Sequence, residues 1–287
     1  MAEEARQPFL GAMSAQLASS NELRSACVKG VANAQRVARS VILGVAEGVK
    51  PGDSERQVCA RMERGFVRAK VAHWLHTPYA WWGERTRFDW RGSWEANALP
   101  SDRLLQEGEA FVLDAAPIVG GYPADFAYSG VAGPSAAYAV LVAELEKLKR
   151  ALGRWAVEAA SGAALCARVT ESIQRAGLDV IHTRYPAQVL AHTLDGFPNW
   201  CSSAPRMGTG FQLPLLLTYA TRIVLHHLAG APYPFLNAGA PDRPHGLYAV
   251  EPHVGLGALG AKFESVLFVD GDETRWLDSE LFGEVVG

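Results

Sequence analysis

The sequence predicts an α+β chain of two similar halves, each a helix pair followed by β-type sequence. Three observations predict it. Apolar residues recur at helical spacing over residues 20–49, 53–70, 135–159 and 162–176. Two β-type runs, Glu109–Val119 and Tyr122–Val131, are joined by Gly120-Gly121, the signature of an antiparallel hairpin. Finally, Ser54-x-x-x-Val58-Cys59-Ala60-Arg61-Met62 is echoed by Ser161-x-x-x-Leu165-Cys166-Ala167-Arg168-Val169, each on the second helix of a pair.

In the first helix Val28, Val31, Ala32, Val37, Val41 and Ile42 form the apolar face, and Asn21 is the expected N-cap. Pro51-Gly52 stops it. Asp53 or Ser54 then caps the second helix, with Val58, Met62, Phe66 and Val67 on its apolar side. Residues 71–101 hold five of the eight tryptophans: Trp74, Trp81, Trp82, Trp90 and Trp94. They suit a core, a dimer contact or a pocket wall equally well. The hairpin and the second helix pair follow. Residues 201–247 are rich in Pro, Leu and Gly, with one helical segment at 213–229, and closing strands are expected near 247–251 and 261–270.

The 287 residues suffice for one large domain, and 49% hydrophobic with 20% charged residues is ordinary for a chain that buries a core. A net charge of -3 gives no electrostatic case for nucleic acid or an anionic membrane. Lys147, Lys149 and Arg150 read as the solvated face of a helix. No apolar stretch reaches the roughly 18 residues of a membrane span. Met1 to Arg6 carries Glu3 and Glu4 and no hydrophobic signal core. Cys27, Cys59, Cys166 and Cys201 lack C-x-x-C spacing and read as free thiols, so a cytoplasmic location is expected.

The chemistry lies in the carboxylates. A two-residue turn at Gly120-Gly121 pairs Asp114 with Ala127 and Ala116 with Asp125, so both aspartates face one way as diagonal neighbours, about 7–8 Å apart at the backbone. Val112 and Ala116 make that face apolar. Two carboxylates on such a face need protons, arginine or metal ions to compensate them. Pro123 warns of an edge or bulge. Glu264 repeats the pattern, sharing its face with Lys262, Val266 and Phe268. Glu251 ends the apolar run Leu247–Val250, and His192 offers a neutral nitrogen. An isolated strand aspartate is more often solvent-facing, and a lone histidine more often structural. The residues alone therefore leave His182, His226 and His227 open as ligands.

The combined motifs resemble the creatinase, aminopeptidase P and methionine aminopeptidase family, with its pita-bread fold. Leu105-x-x-Gly108-Glu109-x-Phe111-x-Leu113-Asp114 resembles the strand bearing the family's first metal-binding aspartate. Asp125 follows at the family spacing in Gly121-Tyr122-x-x-Asp125-x-x-x-Ser129. His192-x-x-x-Gly196, Val250-Glu251-Pro252 and Lys262-Phe263-Glu264 resemble the remaining ligand segments. His76-Thr77-Pro78 and Gly83-Glu84-x-Thr86 are similar to an Xaa-Pro peptidase-like subgroup.

The resemblance implies two pseudo-symmetric αα-β halves around a curved antiparallel sheet. Residues 1–20 would be an N-terminal extension and 21–287 a single catalytic domain. It also implies two divalent ions (Mn²⁺, Fe²⁺, Co²⁺ or Zn²⁺). Asp114 would chelate one, His192 with Glu251 the other, and Asp125 and Glu264 would bridge both, with a metal-bridging hydroxide attacking an amide or peptide bond. A homodimer acting on a small molecule or short peptide is expected. His76 is the expected substrate contact, with His73 its competitor. In Phe197-Pro198-Asn199 an asparagine stands where relatives carry a histidine, so a slow peptidase or different chemistry is expected there unless His226, His227 or His245 folds back. Two other classes remain: a non-peptidase metalloenzyme of the same fold, acting as C–N hydrolase or lyase, and a binding module that has lost its metals.

Overall fold

The computed structural model describes residues 6–89, 97–194 and 206–278. Its first half comprises α1 (Arg6–Ala46), α2 (Glu55–Arg68), β1 (His73–Trp82), β2 (Ala110–Val119), β3 (Tyr122–Pro123) and β4 (Phe126–Val131). The second begins with α3 (Ala136–Glu158), α4 (Gly162–Arg175), β5 (Asp179–Val180) and β6 (Ala191–Thr193). It continues through α5 (Leu213–Ala229), β7 (Phe235–Leu236), β8 (Gly246–Val250), β9 (His253–Leu256), β10 (Leu259–Lys262), β11 (Ser265–Asp270) and β12 (Glu273–Trp276).

Among the described residues all the strand pairings are antiparallel. β2 pairs with β1 on one edge and with β3 and β4 on the other. A second sheet runs β12-β11-β8-β6-β7 and a third β10-β9-β5. Between β10 and β11, Glu264 leaves its own ladder and exchanges backbone hydrogen bonds with Ala127 of β4, at 3.2 and 3.4 Å. That bridge stitches the two halves together beside the carboxylates.

Each half has its own core. Val58, Met62 and Phe66 of α2 pack on Leu113 and Phe126. Leu141, Leu145 and Leu148 of α3 pack with Leu165 and Val169 of α4 on Phe263. The sequence echo is structural. Ser54 caps α2 by accepting from the Gln57 amide, and Ser161 caps α4 by accepting from the Ala164 amide. Val58, Cys59 and Met62 are buried in one helix, Leu165, Cys166 and Val169 in the other.

Three expectations need correction, and one strand had not been expected. α1 starts at Arg6 and runs unbroken across residue 20, so Asn21 lies inside the helix and is no cap. Residues 73–82 form a strand that the sequence does not announce, because two register shifts break its alternation. The closing 261–270 segment is two strands, split at Phe263-Glu264 by the bridge to Ala127. Lys149 does not face solvent: it is 9% exposed, with its ammonium 3.5 Å from the centroid of the Trp276 ring.

Candidate metal centre

The hairpin places the aspartates as its pattern demands. Gly120 and Gly121 both adopt positive φ, +58° and +87°, the conformation a tight two-residue hairpin turn requires and other residues resist. Asp114 pairs with Ala127, and the Ala124 amide donates to the Pro117 carbonyl. Regular pairing lapses at Ala124-Asp125, just after Pro123, which has no amide to give. There the Gln35 side chain from α1 takes over. It accepts from the Asp125 amide at 3.2 Å and donates to the Asp125 carbonyl at 2.7 Å, fixing the residue the ladder has released.

β1 brings His76. The register shifts by one residue between Trp74 and His76 and again between His76 and Tyr79, across Thr77-Pro78. In a regular strand, residues three apart face opposite ways. The extra residue restores parity, so His76 and Tyr79 both turn to the same cleft. From β6 comes His192, Glu251 directly follows β8, and Glu264 lies between β10 and β11. Lys262 and Glu264, two apart, face inward, and Phe263 between them faces the core.

The donors converge. His76 Nε2 lies 3.5 Å from Asp114 Oδ1 and 3.4 Å from Asp125 Oδ1. His192 Nε2 lies 3.3 Å from Asp125 Oδ2 and 3.4 Å from Glu264 Oε1. Both imidazoles have their other nitrogen committed. His76 Nδ1 donates to the Thr77 carbonyl at 3.0 Å. Tyr219 Oη donates to the Thr193 carbonyl at 2.7 Å, so its 2.6 Å contact with His192 Nδ1 has the imidazole as donor. Both Nε2 lone pairs therefore point at carboxylate oxygens, which is repulsive unless a proton or a metal ion stands between. Asp114 Oδ1 and Asp125 Oδ1 are buried without a hydrogen-bond partner, as oxygens awaiting a cation would be.

Among the described residues two triples have donor atoms close enough to share an ion: His76–Asp114–Asp125 and Asp125–His192–Glu264, with Asp125 common to both. The hard-oxygen and imidazole set fits a first-row divalent metal. Glu251 belongs to neither triple. Its carboxylate instead meets Lys262, whose Nζ donates to Asp114 Oδ2 and Glu251 Oε2 at 2.9 Å and to Glu264 Oε2 at 3.0 Å.

Without a metal, the cluster balances its charge with protons. Burial pushes His76 down, but Asp125 and Asp114 outweigh it and hold it at about 9. Burial raises Asp114 to about 6 against the pull of Lys262, and burial with Glu264 raises Glu251 to about 8. Asp125 goes the other way: its two histidines outweigh burial and hold it below the usual carboxylate range. Metal binding would displace the protons held on the imidazoles.

The cluster floors a cleft of about 260 Å³. Its walls are largely apolar and include Tyr79, Trp81, Phe88, Tyr185, Phe211 and Tyr219. The tryptophans divide by role: Trp81 lines the cleft, Trp74 and Trp82 lie in the core, and Trp90 and Trp94 lie outside the described residues. Asn199 also lies outside them. Of the histidines proposed to replace it, neither His226, His227 nor His245 lines the cleft; neither does His73, the competitor of His76. Sequence reasoning missed Lys262, Tyr219 and Gln35. Of these, only Lys262 left a signal, as a same-face neighbour of Glu264.

Two pseudo-symmetric αα-β halves closing on a carboxylate–imidazole cluster define a pita-bread protein with a metallohydrolase-type centre. The sequence profile of metallopeptidase family M24 matches residues 29–269, and the chain belongs to that family. No curated protein sequence matches it. Solved structures do. The X-Pro aminopeptidase from Thermotoga maritima MSB8 superposes with a TM-score of 0.64 at 15% identity, covering 92% of this chain and 64% of that one. The Xaa-Pro dipeptidase from Bacillus anthracis gives 0.63 at 16%, covering 91% and 64%. The methionine aminopeptidase from Thermotoga maritima gives 0.59 at 14%, covering 89% and 97%. The chain thus spans less than two thirds of the Xaa-Pro peptidases' length and nearly the whole of the shorter enzyme.

Proposed function

We propose that this protein is a metal-dependent hydrolase of an amide or peptide bond, with a short Xaa-Pro-type peptide as the first substrate to test. The observation that carries the reading is the pair of imidazoles with Nδ1 committed and Nε2 aimed at buried carboxylate oxygens. Such an arrangement is a poor structural element and a good ligand set. Asp125, His192 and Glu264 would hold a metal ion, with Asp114 beside them. A bound divalent ion supplies a water of lowered pKa and polarises the carbonyl under attack.

The chain's own residues do the rest. Tyr219 keeps His192 in the tautomer that presents Nε2, and Gln35 fixes Asp125 by its backbone. His76 stands at the cleft wall with Nε2 toward the centre, placed to give a hydrogen bond or a proton to a substrate atom. The aromatic walls receive the apolar part of the substrate and limit water around the reacting bond. Among the described residues lining the cleft, the charged groups all belong to the cluster, so the substrate's polar end is oriented there.

The test is hydrolysis of Xaa-Pro dipeptides, longer Xaa-Pro peptides and simple amides by protein loaded separately with Mn²⁺, Fe²⁺, Co²⁺ and Zn²⁺. Turnover that a chelator abolishes and metal restores is expected. A protein that binds no metal, or whose turnover ignores the chelator, refutes the reading.

A second reading, a non-peptide C–N hydrolase or a lyase, is favoured by Asn199. An asparagine amide donates a hydrogen bond but carries no charge and exchanges no proton near neutral pH. Losing a charge-assisted donor lowers a peptidase rate by about 10²–10³. Asn199→His should then raise Xaa-Pro hydrolysis. A wild-type kcat/KM already near ~10⁵ M⁻¹s⁻¹ rules this reading out.

A further inference from the structure

We infer that Lys262 is a built-in cation of this centre, so that the chain holds one divalent ion where the family resemblance implies two. The inference rests on the metal-dependent reading above. It is carried by how the carboxylate oxygens are shared out. An ammonium has three N–H donors. Lys262 Nζ spends them on three different carboxylates: Asp114 Oδ2, Glu251 Oε2 and Glu264 Oε2. The other oxygens of Asp114 and Glu264, and both oxygens of Asp125, face the imidazoles.

The ammonium is held in place from several sides. Lys262 is 2% exposed, so it has no solvent to swing into. Its backbone is clamped by Ser129, whose hydroxyl donates to the Lys262 carbonyl at 2.6 Å and accepts from its amide at 2.8 Å. The ammonium also sits 5.3 Å from the centroid of the Tyr185 ring. Displacing it would strand a buried ammonium without acceptors, and leaving it in place sets a positive charge beside any second ion.

The lysine takes one oxygen each from Asp114 and Glu264, two of the three carboxylates expected around the Asp114-centred ion. The donors left there are Asp114 Oδ1, Asp125 Oδ1 and His76 Nε2, and with His76 turned to the substrate only two oxygens remain, so that position is the one lost. The lysine also occupies Glu251, which was expected beside His192. The ion that remains would be held by Asp125, His192 and Glu264, a triple whose donor atoms lie within 4.8 Å of one another. Against four carboxylates, one divalent ion and one ammonium leave a smaller excess charge to bury than the carboxylates alone.

The test is metal stoichiometry on the full chain, with Mn²⁺ as probe. Metal-free protein is titrated calorimetrically, the bound metal is measured by elemental analysis, and the electron paramagnetic resonance spectrum is recorded. We expect one Mn²⁺ per wild-type chain with the spectrum of an isolated ion, and two in Lys262→Met with an exchange-coupled spectrum. Glu251→Gln provides a second reading in a chain that keeps the lysine. Its Mn²⁺ affinity should stay close to wild type, whereas loss of a true ligand weakens binding by at least the ~10–100-fold seen for mere supporting residues. Two coupled ions in the wild type overturn the inference and leave the hydrolase reading standing, as does a folded Lys262→Met that still binds one. No Mn²⁺ binding at all overturns the hydrolase reading itself. If Lys262→Met does not fold, the wild-type count and Glu251→Gln decide.

Discussion

At the scale of single residues, the centre depends on side chains that do different jobs at nearly the same place. Asp125 is shared by both donor triples, and Glu264 both faces His192 and carries the backbone bridge to Ala127. Asp125→Ala and Glu264→Ala should each abolish turnover and reduce bound metal, measured by activity and elemental analysis on the same sample. Near-normal turnover and metal content in either variant would remove that residue from the centre. Tyr219 acts one step further out. Its hydroxyl holds His192 Nδ1 at 2.6 Å and anchors to the Thr193 carbonyl at 2.7 Å. Tyr219→Phe keeps the ring against Phe235 and removes only the hydroxyl, so metal affinity should fall about 10–100-fold with the fold intact. Competition with a chromophoric chelator measures this, and an unchanged affinity would show that the tautomer is set by something else.

At the scale of elements, the two helix pairs share a device of unequal strength. Ser54 caps α2 in a full capping box, because the Ser54 amide also donates to the Gln57 side-chain oxygen at 3.0 Å. Ser161 caps α4 by one bond from the Ala164 amide. Ser161→Ala should destabilise the fold by about 1 kcal/mol, and Ser54→Ala by more, within the range of ~0.5–2 kcal/mol for such caps. Denaturant unfolding of the two variants gives the order, and a larger loss at Ser161 would contradict it.

These same caps explain what the sequence made readable. Helices were legible because a 3.6-residue period is a local signal, to which α2 adds its serine cap; 213–229 matches α5 at both ends although α5 has no side-chain cap. The hairpin register was legible because Gly-Gly sets it. β1 was not, since its paired register shifts erase the alternation that marks a strand. Nor was the break at Glu264, which exists only because a distant strand competes for its backbone. Within the centre, Asp114, Asp125, His192, Glu251 and Glu264 were nominated by family resemblance, with one hairpin's geometry in support. Lys262 looked like an ordinary strand lysine, and Tyr219 is 27 residues from the histidine it orients.

At the scale of the whole molecule, the halves are also tied by a buried polar chain beneath the centre. Lys149 of α3 donates to the Ser265 hydroxyl, which donates in turn to Asp278, and Asp278 accepts from Gln35 of α1 at 3.4 Å. Burial pushes Lys149 down to about 7, although Asp278, 3.5 Å from its Nζ, favours the charged form; Arg39 adds to the lowering. An unfolded lysine titrates near ~10.4. Between those values the unfolded chain binds a proton that the native chain does not, so this group makes stability rise with pH. Its contribution is fully present above the unfolded value and is lost as pH falls through about 7. His76 and Glu251 titrate in overlapping ranges, so the comparison must be a difference between two chains that share them. Lys149→Met keeps the stem over Trp276 and removes the titration. Unfolding free energies of both proteins, measured by denaturant from pH 6 to pH 10, should show wild type gaining on the variant above pH 7. The gain should approach, and not exceed, about 1.4 kcal/mol per pH unit. A difference that stays flat over that range would mean that Lys149 keeps its proton in the folded chain, as an ammonium against Trp276 and Asp278.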